Sequence, residues 1–67
     1  MTRVAGEELR TLVHDLRTPV MIVEGFADLL VRRGAELEPA EREEYAGRIA
    51  AAARELRDLL DRASAKA

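Results

Sequence analysis

Apolar residues recur along the first half of this chain at intervals of seven. Leu9, Leu16, Val23 and Leu30 hold one register, and Leu12, Pro19 and Phe26 stand three residues further on. This is an a/d seam along one side of a helix, and Val13, Val20 and Ala27 widen it at the next position. In the second half, Tyr45, Ile49, Ala52, Leu56, Leu59 and Ala63 step by four and three, widened by Ala46, Ala53 and Leu60. No stretch alternates with period two and β-branched residues are few, so no strand is predicted.

The polar positions set the ends. Helix one is predicted over about residues 4–33 and stops at Gly34, where a left-handed backbone is natural, with Arg32 and Arg33 at the negative end of its dipole. The turn spans 34–38. Helix two is predicted over about 39–64, opened by Pro39 at the position where a missing N–H costs nothing, with Glu41, Glu43 and Glu44 favouring its first turns. Glu44–Arg48 and Asp58–Arg62 are expected to pair along the outer face. The run "AAAA", residues 50–53, puts small side chains mid-seam, where helices can approach closely.

The pattern gives one all-α domain over residues 1–67, an antiparallel two-helix hairpin. Each stripe is wider than one partner helix can cover. A chain of 67 residues is also short for a self-sufficient core, and the usual staples are disulfides, a metal or a second chain. Without cysteine, and with one histidine, neither a disulfide nor an ordinary zinc site is available. Two hairpins pairing into a homodimeric four-helix bundle cover both stripes. The dimer core is then Leu9, Leu12, Leu16, Val23, Phe26, Leu30, Ile49, Leu56 and Leu59.

Charge narrows the partners. The formal net charge is −2, with 11 basic and 13 acidic residues intermixed, which lacks the clustered basic excess of a nucleic-acid footprint. Apolar runs such as "VMIV" stop far short of the roughly 20 residues a membrane span needs, so no membrane insertion is expected. "MTRVAGEEL" has no apolar core segment of the signal-peptide kind, and a cytoplasmic location is expected.

The single histidine breaks the monotony. With Leu9 at position a, His14 falls at f, about 150° round the helix from the middle of the seam. It therefore faces out. Neutral imidazole is a nucleophile through one ring nitrogen, and a carboxylate accepting the other N–H fixes the tautomer and takes up charge as the ring attacks. Asp15 is of that type, Thr18 stands four residues on with a hydroxyl able to orient water, and Arg17 is three residues on with a charge that attracts phosphate. An ordinary reading runs beside this one, with Asp15 and Arg17 as solvated charges and Thr18 as a helix cap.

Pro19 allows two readings as well. Two helices would meet there, with Thr18 capping the first turn of the second. The seven-residue spacing crosses Pro19 without losing phase, which favours one helix, bent or loosened just after His14 despite a cost of about 3 kcal/mol. Met21, Ile22 and Leu29 fall off the seam on the side of His14 and Thr18, either as a docking surface for a second protein or as scattered surface apolar residues.

Taken together, "HDLRTPV" resembles the H-box of sensor histidine kinases, found in their dimerization and histidine-phosphotransfer domain. That pattern is a histidine, an acidic residue, Leu-Arg-Thr-Pro and an aliphatic residue. "EGFADLL" is similar to the segment that follows it in the family, and "EPAEREEYAGRI" and "ARELRDLLD" to the start and end of its second helix. The resemblance spans about residues 5–62. Leu9 where Phe is common, and Val13 where a small residue is common, are the departures.

The resemblance implies that His14 is the phosphoacceptor, taking the γ-phosphoryl of ATP and passing it to an aspartate on a response-regulator receiver domain. It implies Asp15 as general base, Thr18 as the residue that aligns water when the regulator is dephosphorylated, and Pro19 as the point where helix one bends. The family's kinases also carry an ATP-binding domain with asparagine-bearing and glycine-rich boxes. This chain has no asparagine, and Gly6, Gly25, Gly34 and Gly47 stand far apart. ATP and Mg2+ are expected to act through that separate kinase domain, with no cofactor or metal bound here. The chain reads as a module of a larger kinase, inactive as a kinase by itself. Two alternatives stand beside it: a structural coiled-coil hairpin, and a free-standing phosphotransfer protein, although monomeric phosphotransfer bundles typically show Lys-Gly shortly after the histidine where this chain has "RT".

Overall fold

The computed structural model describes residues 2–66, with side-chain exposure described over 6–65. Helix α1 runs Thr2–Arg33, a 3₁₀ turn covers Gly34–Glu36, and helix α2 runs Pro39–Lys66. The two helices fold back on each other into a rod of 53 × 18 × 11 Å. Among the described residues there is no strand.

The connection departs from the left-handed stop expected at Gly34. No glycine has positive φ. Instead Arg33 swings to φ −125° and ψ 10°, and the Leu37 amide donates to the Gly34 carbonyl at 3.3 Å. The last turn tightens to 3₁₀ geometry and satisfies a terminal carbonyl without any residue entering left-handed space. Arg33 also reaches Glu36 across this turn at 3.5 Å.

Helix α2 begins as its sequence requires. Pro39 takes the first helical position, Glu38 accepts from the Glu41 and Arg42 amides at 2.9 and 3.1 Å, and Glu41 Oε1 accepts from the Glu38 N–H at 3.0 Å. The last of these is the returning half of a capping box. Along α2, Glu44 and Arg48 pair at 3.8 Å, whereas Arg62 turns its Nε to the Asp58 backbone carbonyl at 3.4 Å. The expected Asp58–Arg62 ion pair is thus replaced by a side-chain bond to the main chain one turn back.

One pair of rings sets the register. Phe26 and Tyr45 lie 5.2 Å apart between centroids, tilted by 47°, and the Arg48 guanidinium sits 5.9 Å from the Phe26 centroid. Counting seven residues back along α1 and seven forward along α2 brings Pro19 opposite Ala52. Among the described residues these are the two buried side chains, Pro19 fully and Ala52 at 4% exposure. A methyl group is what remains room for when a rigid pyrrolidine ring fills the facing position. α1 continues through Pro19 as one helix. The two-helix reading of the proline is excluded.

The remaining seam residues, Leu12, Leu16, Val23, Phe26, Leu30, Tyr45, Ile49, Leu56 and Leu59, are half-buried. Leu9, Val13, Val20 and Leu60 stay exposed, Val13 and Leu60 at 50% each. Winding at about 100° per residue puts Leu9, Val13 and Val20 roughly 80–120° to one side of Pro19, and Ala53 and Leu60 a similar angle to the same side of Ala52. In an antiparallel pair, equal rotations carry both sets onto one face of the hairpin. That face is apolar and uncovered.

Candidate functional site

His14 belongs to the fourth turn of α1, where Leu12 and Leu16, two residues to either side, are anchored on the seam. Anchoring one face presents the other. The His14 side chain is 86% exposed, about 140° from the Pro19 direction and away from the uncovered apolar face. Its Nδ1 lies 3.4 Å from Asp15 Oδ1, with the Asp15 side chain 48% exposed. Adjacent residues on a helix diverge by about 100°, so this contact is long and weak rather than a close bond. It nevertheless has a direction. With the proton on Nδ1 donated to Asp15, the lone pair of Nε2 is left in solvent, free to attack.

Pro19 acts below the ring. Lacking an N–H, it leaves the Asp15 carbonyl without its partner in the helical ladder. The carboxylate-bearing neighbour of His14 therefore sits on the one rung of α1 that proline removes.

The structure separates the other sequence candidates. Thr18 and Arg17 are both exposed, on the turn C-terminal to His14. Of the three apolar residues off the seam, Met21 is exposed at 62%, whereas Ile22 and Leu29 are half-buried. They fall only about 60–80° from Pro19, close enough to the seam for the hairpin to shelter them. Three residues that the sequence pattern did not single out lie beside His14 instead. Arg10 and Thr11, with Glu7, line one shallow open depression with it. The available signal was the i−4 and i−3 spacing combined with the lean of helical side chains toward the N-terminus.

Among the described residues no group of three or more His, Cys, Asp or Glu side chains is placed to hold a metal, and no helix is long and apolar enough to cross a membrane. The arrangement is that of a helical hairpin presenting one solvent-facing imidazole with a carboxylate beside it. A model of the His Kinase A (phospho-acceptor) domain matches residues 5–65. The chain belongs to that family, the phosphoacceptor and dimerization module of histidine kinases. No curated protein and no solved structure gives a significant match.

Proposed function

We propose that this chain is the dimerization and phosphoacceptor domain of a two-component sensor histidine kinase. His14 accepts the γ-phosphoryl of ATP from a separate catalytic domain and relays it to an aspartate of a response-regulator receiver domain. The observation that carries this reading is the exposed imidazole whose Nδ1 points at Asp15. In the transfer, Nε2 attacks phosphorus, the bond to ADP breaks, and the developing positive charge on the ring is met by the Asp15 carboxylate as it takes the Nδ1 proton. In the reverse duty, dephosphorylation of the regulator, Thr18 aligns the attacking water. Met21 marks the exposed part of the surface on which the receiver docks.

The uncovered face of Leu9, Val13, Val20 and Leu60 supports assembly of two hairpins into a four-helix bundle, since a second copy offers the same apolar stripe. It lies away from His14, so dimerization leaves the imidazole accessible. ATP and Mg2+ enter through the catalytic domain of the parent kinase, and the domain works in the cytoplasm. By itself it is a substrate without kinase activity.

The test mixes this domain with a separate histidine-kinase ATP-binding domain and labelled ATP. Acid-labile, base-stable label is expected on the wild type, none on His14→Ala, and reduced label on Asp15→Asn with assembly intact. Label that persists in His14→Ala would refute the site. Thr18→Ala should keep labelling and lose regulator dephosphorylation, and an equal loss of both would contradict its role.

A further inference from the structure

The geometry points to Arg10 as the residue that holds the phosphoryl group on His14, an assignment that rests on the phosphoacceptor reading above. Side chains of an α-helix lean toward its N-terminus, so the ring of His14 overhangs the turn that precedes it, not the one that follows. On that side Glu7, Arg10 and Thr11 line one shallow, open depression together with His14. A phosphoryl group on Nε2 is carried further in the same direction, over Arg10 and Thr11. Arg17 has the right charge but stands on the turn behind the ring and outside the depression.

Arg10 is available for the task. It is exposed, and no ion pair within 4.0 Å engages it among the described residues. Its position four residues before His14 puts the two side chains on neighbouring ridges of one helical face. A guanidinium presents paired N–H donors to two phosphoryl oxygens at once, and the Thr11 hydroxyl is placed to donate to a third. Glu7 lines the far end of the depression, two turns from His14, and Arg10 is the cation beside it. Arg10 thus offsets the negative charge that arrives with each phosphorylation and would otherwise meet Glu7 and Asp15.

The chemistry is testable without any partner domain. Phosphoramidate phosphorylates exposed imidazole directly: Nε2 attacks phosphorus, the P–N bond breaks, and the zwitterionic donor releases neutral ammonia. The rate of phosphohistidine formation is followed on the intact chain by phosphorus NMR, at low and at high salt. Helix content is checked by circular dichroism. Arg10→Gln is expected to label about fivefold more slowly than the wild type at low salt, and Arg10→Lys to recover most of the rate. Arg17→Gln should stay within about twofold. Raising the salt should close the gap between the wild type and Arg10→Gln, because the contact is solvent-exposed. A general loss of structure would not behave this way. Equal rates for Arg10→Gln and the wild type, or a larger loss in Arg17→Gln, overturns the assignment while leaving His14 as phosphoacceptor. If His14→Ala labels as well as the wild type, the underlying reading falls, and the role of Arg10 with it.

Discussion

Replacing Pro19 by alanine sets two effects of known sign against each other. Proline inside a helix removes one backbone hydrogen bond and crowds the carbonyl four residues back, a cost of about 3 kcal/mol relative to alanine. Here that carbonyl is Asp15. Against this, the Pro19 ring is fully buried opposite Ala52, whose own methyl cannot extend to fill a gap. Losing two ring methylenes from that position costs about 1.6 kcal/mol of transfer free energy, and a small residual cavity adds to it. The backbone term wins, and Pro19→Ala is expected to stabilise the fold by about 1 kcal/mol. For a domain of this size that raises the melting temperature by about 4–8 °C. The assay is thermal and urea unfolding followed by circular dichroism, at one protomer concentration because association enters the measured stability. A loss of more than about 1 kcal/mol would refute the reasoning. It would mean that the ring acts chiefly as core packing and that the helix hardly registers its missing N–H.

Two further outcomes follow from the same structure. An added Cβ at Gly25 meets nothing within 4 Å, so Gly25→Ala should gain about 0.5–1 kcal/mol through helix propensity alone, read as a shifted urea midpoint with an unchanged slope. Val13→Glu or Leu60→Glu places charge on the uncovered apolar face, and should lower the mass seen by light scattering from dimer to monomer at micromolar protein. A wild type that already scatters as a monomer would count against the bundle.

The hairpin was legible because its information is periodic. Leu16, Val23 and Phe26 announce the inner face of α1, and Tyr45, Ile49 and Ala52 that of α2, by spacing alone. The exposure of His14 followed from the same arithmetic. What escaped was whatever periodicity does not encode. Gly34 permits a left-handed stop without requiring one, and the chain closes its helix with a 3₁₀ turn instead. Ile22 and Leu29 lie at the shoulder of the stripe, where a modest rotation decides between open and sheltered. Arg10 was missed because position on a helical wheel ignores the axial tilt of side chains, and that tilt decides which neighbours a ring overhangs.

A long helix ordinarily resists small axial adjustments, since each peptide is clamped by the one a turn away. The gap that Pro19 opens at the Asp15 carbonyl releases this clamp directly under the reactive side chain. That rung is the one place where proline interrupts the ladder of α1, and the carbonyl it frees belongs to the neighbour of the chain's single histidine. The rod is thus least tightly wound one turn from a side chain it holds open to solvent.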